Sequence, residues 1–101
     1  MKNVRWLDEQ ALHVSVMAGD GEAFAELMRR YDPVVRRQLW RVAPLEVDGV
    51  DEEVAEFWCA LIEVDLKPLA GWHAGLGGPL AQWLQMLAAQ AAAARVRDLA
   101  A

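Results

Sequence analysis

Few side chains in this sequence are of kinds that carry out covalent chemistry, and none is spaced for it. There is one cysteine, Cys59, and there are two histidines, His13 and His73, far apart along the chain. An activated nucleophile needs a base within hydrogen-bond reach, and a metal centre needs several ligands in a short, regular spacing. No Ser/His/Asp set, metal-ligand spacing or phosphate-cradling glycine loop is present. Cys59 reads as a small buried hydrophobe on the core-facing turn of its helix. The histidines read as packing or capping groups. The expectation is a protein that is not an enzyme and uses no cofactor or metal.

What remains is ionic and aromatic recognition. Arg29, Arg30, Arg36, Arg37 and Arg41 form a basic flank, which makes them candidate nucleic-acid contacts together with Trp72, an aromatic able to stack on a single strand. The competing reading is a solvated helix face, with Glu26 three and four residues ahead of Arg29 and Arg30. Net charge is −5, so the field of the whole molecule opposes a polyanion. Seven of the ten Lys and Arg residues precede Val42, which leaves the second half poor in cations. The acidic counterpart is Asp51–Ile62, DEEVAEFWCALI. Here Val54, Trp58, Leu61 and Ile62 recur at three- and four-residue spacing and suffice for a core. Phe57 points about 100° away from its neighbour Trp58, and is expected near the surface. With Glu53, Glu56 and Ala60 it forms a candidate partner-binding face for a basic, partly apolar protein.

The elements that must position these residues are helical. One hundred and one residues, 55% of them hydrophobic, suit a single domain spanning 1–101, with 1–6 as a loose N-terminus. Asp8-Glu9 open a first helix that turns Leu12, Val16 and Leu7 inward and ends at Gly19. Asp20 caps a second, Gly21–Val42, whose apolar stripe is Phe24, Leu27, Met28, Tyr31, Val34, Val35, Leu39 and Val42. Pro33 is expected to kink or break it. Pro44 and Glu46–Val50, with Asp48-Gly49 as turn chemistry, form a loop. Asp51 then caps a third helix from Glu52 to about Val64. Asp65–Gly78 is a loop rich in glycine.

Pro79 starts a fourth helix running to about Leu99, with Leu80, Trp83, Leu84, Leu87, Ala91, Ala94 and Val96 inward. No strand alternation occurs. The fold class is all-α, a small bundle of about four helices. Phe24, Leu27, Leu39, Val54, Trp58, Leu61, Trp83, Leu84 and Leu87 are expected to share one core. A lone cysteine excludes an intramolecular disulfide, and charges at Arg5, Asp8 and Glu9 interrupt any leader-like apolar run. No stretch is apolar enough to span a membrane, so the expected location is cytoplasmic.

Ala18–Arg41, AGDGEAFAELMRRYDPVVRRQLWR, also resembles the start of the second region of bacterial RNA polymerase sigma factors of the extracytoplasmic-function class. In that family the motif is AGD followed by E-A-F-x-x-L-x-x-R-Y-x-P-x-V-R-R. Asp51–Ile62 stands where the family carries D-A-E-D-L-V-Q-E-V-F-L-R-L. In that register Glu53 falls on the acidic D, Glu56 on Q, Phe57 on E, Trp58 on V and Cys59 on F. The resemblance implies a helix that grips the coiled coil of the polymerase's largest subunit. Trp72-His73 and Gly77–Leu84 are similar to F-D-x-x-x-G-x-F-x-x-W-L, the linker and helix with which the family melts and reads the promoter's minus-ten element. The family's R-I-A-R-N-R-A-L-D-L-L-R should follow, but its R-N-R is replaced by Ala89, Gln90 and Ala91 and its first arginine by Met86. The resemblance therefore implies a degenerate sigma-like domain acting as a protein-interaction module. Its partner would be the polymerase coiled coil or an anti-sigma-like regulator, with promoter reading lost. The alternative is a working initiation domain that still binds promoter DNA and core polymerase.

Overall fold

Residues 3–42, 47–73 and 78–100 are described by the computed structural model, excluding the side chains of 42, 47, 48 and 98–100. Five α-helices follow one 3-10 turn, Val4–Trp6: α1 (Glu9–Met17), α2 (Gly21–Val42), α3 (Val47–Glu63), α4 (Lys67–Ala70) and α5 (Leu80–Ala100). There is no strand among the described residues. No helix there is long and apolar enough to cross a membrane.

Local chemistry sets several helix ends where expected. The Asp8 carboxylate accepts the Ala11 N–H at 2.8 Å and starts α1. Gly19, at φ +90°, closes it in the left-handed region that glycine enters without strain. Asp20 accepts from Glu22 and Ala23 and starts α2. That helix runs through Pro33 without a break. Asn3 caps the 3-10 turn, so this part of the predicted loose end is ordered; Met1 and Lys2 lie outside the described residues.

The start of α3 departs from expectation. The helix begins at Val47, placing Asp48 and Gly49 inside it rather than in a turn, and Asp51 is an interior residue rather than its cap. Burial of Val50 extends the apolar stripe one turn upstream, and Arg36 of α2 binds the Asp51 carboxylate. The expected loop residues Pro44 and Glu46 lie outside the described residues, as do Gly75 and Gly77. The predicted loop after α3 contains the short α4.

A single core lies around α2, which packs against α1, α3 and α5. Leu27, Leu39, Val54, Trp58, Leu61 and Leu84 are buried in it, with Phe24, Trp83 and Leu87 partly buried against them. A fully buried leucine such as Leu84 contributes about 1.5–3 kcal/mol relative to its exposed state. Along α5 the inward stripe is Leu80, Leu84, Ala88 and Ala92, while Ala91 and Val96 face solvent, against expectation. A strict four-residue spacing drifts around the helix, and the small side chains of Ala88 and Ala92 let α5 approach α2 closely.

The chain between α3 and α5 is fastened by side chains. Trp72 donates its indole N–H to the Gly78 carbonyl (3.0 Å), Trp83 donates to Pro68 (2.9 Å), and His13 Nε2 lies 2.7 Å from the Leu69 carbonyl. Glu9 reaches across from α1 to accept the Leu80 N–H at 2.9 Å and the Tyr31 hydroxyl at 3.5 Å. It thereby supplies α5 with a cap from another helix. Replacing Glu9 with Ala is expected to lower unfolding free energy by about 1–2 kcal/mol in urea titrations, with Glu9→Gln, whose amide oxygen can still accept the Leu80 N–H, recovering most of that loss.

Candidate functional site

The acidic face of α3 comes first. Glu53, Glu56, Phe57 and Ala60 line one groove of about 270 Å³, closed on its other side by Leu39, Ala91, Ala94 and Arg95. The structure brings the four together but not as an exposed aromatic anchor. Phe57 is 7% exposed and belongs to the core, correcting the expectation that it stands at the surface. Adjacent aromatics can both be buried here because they pack on each other. The Phe57 and Trp58 rings meet edge to face at 5.1 Å, and Trp58 meets Phe24 likewise at 6.0 Å. The stripe centres on Val50, Val54, Phe57, Trp58 and Leu61, so Ile62 turns outward at 56% exposure and Cys59 is exposed rather than buried.

The two carboxylates differ. Glu53 is 12% exposed and paired with Arg95, but burial is the stronger influence and pushes its carboxyl above the ordinary value. Glu56 is exposed and lies 3.4 Å from the same guanidinium. Ala60 is exposed beside it. Glu52, Glu56 and Glu63 thus form an outward acidic ridge, one or two turns apart on α3.

The arginines of α2 divide into engaged and unpaired. Glu26 is 4% exposed, and its carboxylate is held by Arg29 (2.7 Å) and Arg30 (2.6 Å) at the spacing read from the sequence. Arg30 also donates to the carbonyls of Val4 (3.1 Å) and Arg5 (3.2 Å), tying the 3-10 turn onto α2. Arg36 bridges Asp32 and Asp51, and the Asp51 hydrogen bond raises its pKa. Asp32 also accepts the Trp58 indole N–H at 3.3 Å. Arg37 and Arg41 are exposed and have no ion pair among the described residues.

Trp72 is not available for base stacking. It is 1% exposed, its N–H is occupied by Gly78, and His13 packs edgewise against it at 5.0 Å. His13 thus serves in packing. Among the described residues no group of three or more His, Cys, Asp or Glu side chains is placed to hold a metal ion.

Two features escaped the sequence reading. Arg95 crosses from α5 to the acids of α3, a long-range pairing with no local signal. Trp40 is exposed on α2 beside buried Leu39, and its place off the apolar stripe was the available clue. No protein-family model, curated protein or solved structure matches the chain.

Two outcomes follow for variants at these positions. Hydrogen bonds from Arg29, then Arg30, hold the Glu26 carboxyl at about 2, down from 4.5, against the opposing effect of burial. A depressed folded-state value contributes stability above pH 4.5 that is lost as pH falls toward 2. Acid titration by circular dichroism is expected to show that loss, with Glu26→Gln flatter over the same range and less stable at neutral pH. Phe57→Ala is expected to reduce unfolding free energy by about 3–5 kcal/mol, and Glu56→Ala by less than about 0.5 kcal/mol, in parallel chemical melts.

Proposed function

We propose that this chain is a degenerate sigma-like domain that works as a protein-interaction module, docking a basic coiled coil of RNA polymerase through the outward face of α3. The observation that carries the reading is the contrast between α3 and α5. The exposed side of α5 carries Gln82, Gln85, Met86, Gln90 and Ala93, with no cation before Arg95, and Arg95 is engaged by Glu53 and Glu56. DNA affinity comes largely from cation–phosphate contacts, and base reading needs forked donors. With Trp72 buried and Arg29, Arg30 and Arg36 paired within the domain, promoter reading has little left to act through.

Burial of Phe57 removes it from the partner-facing set, which becomes the exposed ridge of Glu52, Glu56 and Glu63 flanked by Ala60. Charge at an exposed rim steers association and sets register. An anti-sigma-like regulator competing for the same ridge fits the same chemistry. Neither catalysis nor a cofactor enters this reading, and the coiled-coil partner places it in the cytoplasm.

The test is calorimetry against a recombinant coiled-coil fragment of a bacterial polymerase largest subunit. Wild type is expected to bind, and Glu52→Lys with Glu56→Lys to weaken binding about tenfold or more with unchanged melting. Absence of binding by a folded wild-type domain rejects the docking reading. In parallel, anisotropy with minus-ten single-strand oligonucleotides is expected to show no sequence-dependent affinity at physiological salt. Sequence-dependent micromolar binding would instead establish the second reading, a working initiation domain.

A further inference from the structure

The outer face of α2 carries a second surface, independent of the family resemblance and of the α3 ridge. Pro33, Arg36, Arg37 and Trp40 recur at three- and four-residue spacing on one side of the helix, and with Val50 of α3 they line a groove of about 350 Å³. Its walls are almost wholly apolar. Val50 is buried at its floor, and Trp40 stands at its edge with 46% of its surface exposed. Charge is arranged around it unevenly. Arg36 is neutralised by Asp32 and Asp51, whereas Arg37 within the groove and Arg41 one turn beyond it are unpaired among the described residues. On a molecule of net charge −5 these two form a local cationic patch around an exposed indole.

We infer that this groove binds an acidic peptide segment of a protein partner, one bulky apolar side chain seating against Trp40 and Val50 while flanking carboxylates pair with Arg37 and Arg41. A half-exposed tryptophan beside unpaired arginines is the composition that concentrates binding energy at protein interfaces. Guanidinium groups favour carboxylates through paired N–H donors. Nucleic acid suits the surface less well. Two unpaired cations neutralise few phosphates, the molecular field is repulsive, and the groove offers a side-chain-sized apolar pocket rather than an open stacking platform.

The experiment is selection of a displayed random dodecapeptide library on the wild-type domain, followed by anisotropy titration of selected peptides. The variants are Trp40→Ala and Arg37→Glu/Arg41→Glu, at exposed positions, with each variant's melt recorded as the control that it is folded. Expected is enrichment of peptides pairing two or more Asp or Glu with an aromatic residue or Leu. Their affinity should fall about tenfold or more in either variant, and fall with rising salt in wild type. Failure to enrich, selection of neutral or basic peptides, or equal binding by the folded variants overturns the proposal. So does an oligo-thymidine single strand that binds more tightly than the selected peptides, which would make the patch a nucleic-acid surface. Sedimentation showing self-association abolished by Trp40→Ala would assign the groove to a second copy of the chain and overturn it likewise.

Discussion

A peptide group left without a hydrogen-bond partner on burial costs about 1–3 kcal/mol, and among the described residues between α3 and α5 side chains add to the local turns in supplying partners. The bundle meets this constraint with ring nitrogens. Trp72, Trp83 and His13 reach the carbonyls of Gly78, Pro68 and Leu69, while the Trp72 and Trp83 rings also join the core and His13 packs on Trp72. The bond from Trp83 ties α5 to the segment before it, while the body of α5 packs on α2. A flat, amphipathic side chain suits the task because one edge can meet a polar backbone while its face joins the core. The same demand explains why Trp72 serves the fold rather than an external ligand.

Much of the fold was legible because its signals are local. Asp8, Asp20 and Gly19 mark helix ends through bonds made within a few residues, and Glu26 finds Arg29 and Arg30 by helical spacing alone. The misreadings fall where a distant element decides. Asp51 carries cap chemistry, yet Val50 finds a buried site and Arg36 claims the carboxylate, so the helix begins earlier. Phe57 and Trp58 compete for one stripe until each becomes part of the other's surroundings. In α5 alanine is nearly indifferent to which side it faces, and only the approach of α2 selects Ala88 and Ala92 over Ala91.

Candidate-site chemistry was readable at the level of residue type and less so at the level of availability. Five arginines on α2 look alike in sequence. The fold divides them, drawing Arg30 toward the 3-10 turn and Arg36 toward α3 while leaving Arg37 and Arg41 to solvent. An arginine already satisfied inside the domain must lose those bonds before it serves a ligand, so counting cations overstates what a surface can bind.

The bond from Glu9 to the Leu80 N–H spans 71 positions of the chain. Closing so wide a loop has an entropic cost that the contact recovers only when both ends are already in place. The first helix and the last each pack on α2, and this bond fastens the start of one to the other only once both are docked there. The amide of Leu80 should therefore report on the first helix, exchanging with solvent faster whenever that helix frays.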